Sequence, residues 1–244
     1  MKKINEFYNI VQSQMDESLK QEKQIEEVVE VLVEMVKNDG VLHTFGCGHS
    51  QMFGYELCFR TGGLFPVNAI LYPHYNVWPS AKMSQLMERA EGFSEAVLDM
   101  QVTTDKDVML IVSISGRNAA GIEMALAAKA KGMKVIALTS LTYSSQVPSR
   151  HSSGKRLMDV ADVVLDLVGV KGDAVLSHPN LNYNFASTST VVGMTLLIGI
   201  IGETIGRLLD EGIVPPVWVS GNLPEGDELN ARYTKQFKNR VSIL

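Results

Sequence analysis

The chain has 244 residues, of which 45% are apolar and 20% charged, and its formal net charge is −5. This length supports a substantial core, and we expect one main domain. The negative charge gives no reason to expect nucleic acid or an anionic membrane surface as a partner. The most apolar window, residues 191–202, is shorter than the roughly 18 to 20 residues that span a bilayer, so it predicts a buried helix.

The chain contains two cysteines, Cys47 and Cys58. Two cysteines do not make a disulfide framework, and the start of the sequence lacks the pattern of a secretory signal. We therefore expect a cytoplasmic protein with reduced thiols.

Residues 1–37 form a predicted N-terminal helical segment, because apolar side chains such as Ile4, Phe7 and Val11 recur at helical spacing. A polar stretch at 20–24 predicts two helices or one kinked helix. We expect this segment to lie outside the sheet, where leading helices often form subunit contacts.

The next segment predicts a strand at 41–45, a glycine-rich turn at 46–50 and a helix at 51–61, followed by a strand at 67–72. The turn brings backbone N–H groups and Ser50 to a helix start. A lone Gly-x-Gly is weak evidence for a binding site.

Residues 73–81 predict an irregular loop rich in aromatic side chains. It either packs on itself, which we favour, or covers a ligand. Residues 84–100 predict one helix with Glu88, Glu91 and Glu95 on a single face. Three such carboxylates are typical of a solvent-exposed face.

A second polar turn follows the central apolar strand, where the run Leu110-Ile-Val ends in Ser113, Ser115 and Gly116. Helix N-terminal N–H groups and serine hydroxyls can bind a phosphate, although a serine-capped structural turn gives the same pattern. Because turns at the carboxyl ends of parallel strands open onto one crevice, two such turns predict an anion site.

The alternation continues with a helix at 122–131 and strands at 134–138 and 163–167. Strand, helix and strand within about thirty residues predict a βαβ unit. The basic loop at 140–156 follows the carboxyl end of a strand, from which it could reach a phosphate.

A loop containing His178 leads to a hydroxyl-rich helix start at 187–190, and an apolar helix runs to about residue 209. The spacing of apolar residues does not predict the structure of the C-terminal tail, residues 213–244. Our hypothesis is that the part around Asn222 and Asp227 folds over its own or a partner's site.

The two turns resemble those of the sugar isomerase (SIS) domain family. Residues 45–50, Phe-Gly-Cys-Gly-His-Ser, look like its Gly-x-Gly-x-Ser loop, and residues 113–118, Ser-Ile-Ser-Gly-Arg-Asn, look like its Ser-x-Ser-Gly-x-Thr loop. The resemblance implies an α/β fold with a three-layer, doubly wound, five-stranded parallel sheet of flavodoxin-like topology. The SIS domain would span 38–212, with a tail at 213–244. The resemblance also implies a homodimer or higher homo-oligomer that binds phosphorylated sugars.

Matched by position, the resemblance implies a set of residues that bind the phosphate and sugar. In the two loops these are Gly46, Gly48, Ser50, Ser113, Ser115, Gly116, Arg117 and Asn118. Asn118 stands where the family usually has Thr, and it can still donate a hydrogen bond. Ser187 and Thr188 match the start of the late helix that borders the sugar.

The catalytic positions of the relatives match less well. Sedoheptulose 7-phosphate isomerases carry a metal-binding His and a catalytic Glu on the helix after the first loop, and here these positions are Glu56 and Arg60. Their late-helix Gln-Glu-x-His motif is also missing, so we expect no metal and no cofactor. The Glu-Gly motif of the N-acetylmuramic acid 6-phosphate etherase resembles Glu91-Gly92, whereas its other acid–base Glu falls at Arg60.

Two classes of function stay open. The first is an enzyme that isomerises a phosphorylated sugar or eliminates a substituent next to its carbonyl, and both reactions need a base to remove the alpha proton. Its candidate bases are Glu91 and Glu56, with His49 as proton donor or ring-opening group. Arg60 would lie beside Glu56 at the ligand, although a surface ion pair has the same spacing. The second class is a non-catalytic sugar-phosphate sensor, which the missing catalytic positions favour.

Overall fold

The computed structural model describes residues 1–244. The helices are α1 (Lys2–Ser18), α2 (Glu22–Lys37), α3 (Gln51–Leu57), α4 (Ala81–Arg89), α5 (Ser94–Asp99), α6 (Ala119–Ala130), α7 (Leu141–Ser145), α8 (Ser189–Asp210) and α9 (Gly226–Phe237). The strands are β1 (Leu42–Gly46), β2 (Val67–Ala69), β3 (Val108–Val112), β4 (Lys134–Thr139), β5 (Val163–Asp166), β6 (Ala174–His178) and β7 (Leu181–Ser187). The N-terminal segment is thus two helices, one of the two arrangements that its polar interruption predicts.

Five parallel strands form the central sheet in the order β2-β1-β3-β4-β5. Thr44 of β1 pairs with Leu110 of β3, which pairs with Ile136 of β4. This order is the flavodoxin-like, doubly wound arrangement. The predicted α/β fold class is confirmed.

The middle strand shows why the fold has three layers. All five residues of β3 are buried, and their side chains alternate between two faces. Val108, Leu110 and Val112 pack in a core with α2, α3 and α8, whereas Met109 and Ile111 pack in a second core with α5 and α6. A continuous apolar strand is what a parallel sheet covered on both faces requires.

Helix α8 is long and apolar enough to cross a membrane by length and composition. One face of it is nevertheless part of the first core, through residues such as Leu196, Leu197 and Ile200. The prediction of a buried helix therefore holds for this face. On the opposite face Val191 and Ile198 are 44% and 46% exposed.

Residues 84–100 do not form one helix, so that prediction is wrong. Helix α4 ends at Arg89 and α5 begins at Ser94, and Gly92 between them has a φ of 88°. This left-handed conformation is open to glycine and breaks the helical path. As a result, Glu88 and Glu91 do not share a helix face.

A β-hairpin occupies the region predicted as a loop around His178. Strands β6 and β7 pair antiparallel, with Leu176 opposite Phe185, and stand apart from the central sheet. Most of their side chains are exposed, so they lack the apolar alternation that would identify strands in the sequence.

The C-terminal tail packs against the β2 side of the sheet and its amino end. Trp218 stacks on Phe65 with ring centroids 3.8 Å apart, in a small core that includes Phe237. Arg240 binds Asp107, which directly precedes β3. The tail therefore does not cover the carboxyl ends of the strands of its own chain, contrary to the hypothesis about its own site.

Candidate functional site

The two serine-containing loops meet at the carboxyl ends of β1 and β3, where they line one cavity of about 170 Å³. The first loop contributes Gly46 and Ser50, and the second contributes Ser113, Ser115 and Asn118. We call this space the serine-loop cavity. Its remaining polar walls come from other segments: Glu88, Tyr143 and Asp173.

The first loop is shaped by glycine. A Cβ on Gly46 would lie 2.7 Å from the backbone oxygen of Ser50, which leaves no room for any other residue while Ser50 faces the cavity. Gly48 has a φ of 58°, in the left-handed region. Cys47 lies between these two glycines. Burial and the nearby charge of Glu88 raise the pKa of its thiol well above the ordinary value, so the thiol stays protonated.

The second loop is held between β4 and the residues before β5. Gly116 has a φ of 59°, and a Cβ there would lie 3.0 Å from the hydroxyls of both Ser144 and Thr139. The Gly116 carbonyl accepts the N–H of Leu157 at 2.8 Å. This hydrogen bond anchors the loop to the segment before β5.

The serine hydroxyls of both loops are available for a ligand. Ser50, Ser113 and Ser115 line the cavity without a side-chain hydrogen bond to another protein group. Other serines near the site are paired, since Ser140 donates to the Gly169 carbonyl at 2.6 Å and Ser189 donates to Asp173 at 2.5 Å. Unpaired hydroxyls on two rigid loops form a ready set of neutral donors.

Asn118 connects the second loop to a carboxylate. It stands at the start of α6 without capping it, so the first-turn N–H groups of that helix are left for a ligand. Its side-chain amide instead donates to Glu88 Oε1 at 2.6 Å and accepts from Arg150 Nη1 at 2.9 Å. The side chain of Glu88 is thereby positioned in the wall of the cavity.

Glu88 is the site residue that sequence reasoning missed. Its spacing from Glu91 and Glu95 predicts only an exposed helix face, and its partner Asn118 lies 30 positions along the chain. No local pattern links the two residues. The contact exists because α4 packs against the start of α6.

Three arginines form a basic rim beside Asn118. Arg150 and Arg117 are held together because the backbone N–H of Arg150 donates to the Arg117 carbonyl at 2.7 Å. Neither they nor Arg89 form an ion pair with a carboxylate. Burial and the charges of Arg117 and Arg89 lower the pKa of Arg150. The three guanidinium charges lie close together, with the charge of Glu88 opposing them at Arg150, and they favour an anionic ligand.

Glu56 and Arg60 lie at a different place. Helix α3 ends at Leu57, so Arg60 lies beyond it instead of one helical turn from Glu56, yet the two form an ion pair at 3.1 Å. They line a separate cavity of about 250 Å³ next to Ile198 and Ile201 of α8. His49 is exposed in the first loop and does not line the serine-loop cavity.

Glu91 lies outside the cavity as well. Its two carboxylate oxygens accept the backbone N–H and the hydroxyl of Ser152 at 2.6 and 2.7 Å. These hydrogen bonds lower the pKa of Glu91 below its ordinary value, with a smaller contribution from His151. Glu91 is thus an anion bound to the basic loop, and its predicted catalytic role stays a prediction.

The start of α8 is occupied by a side chain of the protein. Asp173, just before the hairpin, accepts the N–H and hydroxyl of Ser189 and caps the helix. Thr188 is buried and Ser187 is exposed, and neither lines the cavity. Ser187 and Thr188, which were expected to contact the sugar, therefore do not lie beside the serine loops. Asp173 lines the cavity instead.

Known proteins with the same overall fold include two phosphoheptose isomerases. The structure from Francisella tularensis superposes with a TM-score of 0.56 at 17% identity, over 84% of this chain and 97% of that one. The structure of GmhA from Neisseria gonorrhoeae gives 0.53 at 19% identity, over 86% and 98%. At these identities the likeness concerns the fold.

Sequence comparison identifies the family to which the chain belongs. A UPF0309 protein from Geobacillus thermodenitrificans is 40% identical over 99% of this chain and 97% of its own length. Another from Listeria innocua is 38% identical over 99% and 98%. The SIS domain family model matches residues 6–140, which include both serine loops. The chain therefore belongs to the SIS domain family and to the UPF0309 protein family.

Proposed function

We propose that the protein binds a phosphorylated sugar in the serine-loop cavity and removes the proton alpha to the sugar carbonyl, as an isomerase or an elimination-type lyase. The observation that carries the proposal is the meeting of two loops with three unpaired serine hydroxyls beside one anchored carboxylate, Glu88. The names of the phosphoheptose isomerases that share the fold support the same substrate class.

The phosphate end of the ligand is assigned to the serines. Ser50, Ser113 and Ser115 supply neutral hydroxyl donors, and the uncapped start of α6 supplies backbone N–H groups with a partial positive charge. The nearby arginine rim attracts a dianion from solution. Asp173 and Glu88 repel a phosphate, so they confine it to the serine side of the cavity.

The reacting end of the ligand is assigned to Glu88. The hydrogen bond from Asn118 positions its carboxyl group, and a carboxylate in this place can act as the general base. Removal of the alpha proton gives an enolate, which is an enediolate where the alpha carbon carries a hydroxyl. Transfer of that hydroxyl proton to the other oxygen and return of the abstracted proton to the adjoining carbon complete an isomerisation. In an elimination the enolate reforms the carbonyl as the substituent leaves the beta carbon, and the departing oxygen takes up the abstracted proton. Tyr143 of α7 is a further hydroxyl donor in the same cavity.

The proposal is tested with a panel of hexose, heptose and amino-sugar phosphates. We expect at least one of them to raise the melting temperature and, by NMR in deuterated water, to exchange its alpha proton. The double variant Ser113→Ala, Ser115→Ala is expected to lose the thermal shift, while Ser145→Ala, on an exposed helix face, keeps it. Binding without exchange for every ligand would favour the sensor, and no binding at all would refute the phosphate site.

We also propose that the protein is a cytoplasmic homodimer. The exposed face of α8 carries Val191 and Ile198, and Ile198 lines the same cavity as Glu56 and Arg60. A second copy is the simplest partner for such a face in a SIS domain. We expect sedimentation equilibrium to give twice the chain mass, and Ile198→Glu to give a monomer. A monomeric unaltered protein would contradict the proposal.

A further inference from the structure

A group of metal-ligating side chains lies outside the serine-loop cavity and has no part in the proposed reaction. Glu91 from the α4–α5 connection, Glu123 of α6 and His151 of the basic loop each bring one ligand atom to within 4.8 Å of the others. We propose that these three residues bind one divalent transition-metal cation, Zn²⁺ or Mn²⁺. This inference is independent of whether the protein binds a sugar phosphate.

The imidazole of His151 supplies the nitrogen ligand of the group. Its side chain is only 10% exposed, and Nδ1 accepts the backbone N–H of Ser153 at 3.2 Å and lies 2.7 Å from the Ser153 hydroxyl. Neutral His151 therefore carries its proton on Nε2, which faces Glu91 and Glu123. A cation that binds Nε2 takes the place of this proton, which moves to Nδ1, where the Ser153 hydroxyl accepts it.

The distances leave a gap that suits a cation. Nε2 of His151 is 3.9 Å from Glu91 Oε2 and 4.0 Å from Glu123 Oε1, too far for hydrogen bonds. Because the two carboxylate oxygens lie within 4.8 Å of one another, a point equidistant from the three atoms lies no more than about 2.5 Å from each. Inward movements of a few tenths of an ångström give the roughly 2.0 to 2.2 Å of Zn–N and Zn–O bonds.

The charges favour a cation as well. Hydrogen bonds from Ser152 keep Glu91 ionised, and Glu123 accepts the backbone N–H of Gly92 at 2.5 Å. Neither carboxylate forms an ion pair with Lys or Arg, so two anions face one buried imidazole without a permanent counter-charge. Imidazole with carboxylates suits transition metals better than Mg²⁺ or Ca²⁺, which prefer all-oxygen ligands.

A cation here would join three separate segments of chain. His151 follows Arg150, which binds Asn118, and Glu91 lies three residues after Glu88. The site would thus fix the basic loop and the α4–α5 connection against α6, next to the wall of the serine-loop cavity. The half-exposed side of Glu91 leaves a position open to water.

The test is metal content of the full-length protein. After equilibrium dialysis against Zn²⁺, Mn²⁺, Mg²⁺ or Ca²⁺ and washing, elemental analysis is expected to find one Zn²⁺ or Mn²⁺ for each chain and no Mg²⁺ or Ca²⁺. Glu91→Gln, Glu123→Gln and His151→Gln are each expected to weaken binding by more than about tenfold. The matched controls Glu95→Gln and His178→Gln change exposed residues elsewhere and should bind normally.

Circular dichroism before dialysis shows which variants are folded. Glu91→Gln keeps the shape of a half-exposed side chain, so it serves as the decisive variant if His151→Gln unfolds. Binding below one equivalent in the unaltered protein, or equal binding by Glu91→Gln, would overturn the proposal. A charged His151 in the presence of Zn²⁺, detected by NMR of the imidazole, would overturn it too, since a proton on Nε2 would then occupy the position of the cation.

Discussion

The Glu88→Gln variant is expected to bind phosphorylated sugars as the unaltered chain does and to lose about two to four orders of magnitude in the rate of alpha-proton exchange. Glutamine has the same shape and can still accept the hydrogen bond of Asn118 through its side-chain oxygen. It cannot take up a proton from the substrate. The loss should therefore fall on turnover and leave the thermal shift in place.

Two further variants separate the candidate bases. Glu95→Gln, an exposed residue of α5, controls for the loss of a surface carboxylate. Glu56→Gln changes the carboxylate that pairs with Arg60 in the other cavity. Full exchange by Glu88→Gln together with a large loss in Glu56→Gln would move the base out of the serine-loop cavity and contradict our assignment.

The sequence predicts the parts of this site that depend on local patterns. Buried runs such as residues 108–112 identify parallel strands because both faces are covered, and Gly46 and Gly116 mark turns whose geometry excludes a side chain. Strand order then brings both turns to one edge of the sheet. This is why the serines of the two loops could be assigned to one cavity in advance.

What the sequence could not predict depends on packing between distant segments. Glu88 meets Asn118 only because α4 ends early and lies against α6, and Asp173 reaches Ser189 only because a hairpin intervenes. Alignment with relatives also assigns a residue to a catalytic position without showing which residues surround it. Arg60 falls at a catalytic position of the relatives, but here α3 ends at Leu57 and Cys58 is extended, so Arg60 lies outside the helix.

The largest stability effect is expected at Asp107, a carboxylate with no exposed surface at the amino end of the sheet. It accepts the backbone N–H groups of Val41 and Thr104 at 2.9 and 2.7 Å, and both its oxygens accept from Arg240 Nη2 at 2.6 and 2.8 Å. It therefore joins the starts of β1 and β3 to the C-terminal tail.

A buried histidine completes this network. Asn68 donates to His43 Nδ1 at 3.1 Å, so Nε2 carries the proton and faces Asp107 at 3.4 Å. Burial alone would raise the pKa of Asp107. The hydrogen bonds from His43, Thr104 and Val41 outweigh it and lower the pKa to about 2. The folded protein therefore holds this group in its charged form.

Asp107→Asn is expected to lower the free energy of unfolding at pH 7 by about 3 to 5 kcal/mol, the usual cost of breaking a buried charge pair. The side-chain amide of asparagine would place N–H groups against the backbone N–H donors of Val41 and Thr104. Arg240 would lose its counter-charge. Urea unfolding followed by circular dichroism measures the change. Asp105→Asn, at an exposed position two residues earlier, is the control and should change the free energy by less than about 0.5 kcal/mol.

The same network predicts a pH dependence with a definite sign. Because the folded pKa of Asp107 is about 2 against an ordinary value of 3.8, its contribution is complete above pH 4 and is lost as the pH falls toward 2. At 1.36 kcal/mol for each pKa unit, the loss is about 2.4 kcal/mol. Because the group is still half ionised at its folded pKa, the stability difference between the unaltered protein and Asp107→Asn should shrink by about 2 kcal/mol between pH 5 and pH 2, with the rest lost below pH 2. A difference that stays constant over this range would show that Asp107 is not held as an anion by its donors.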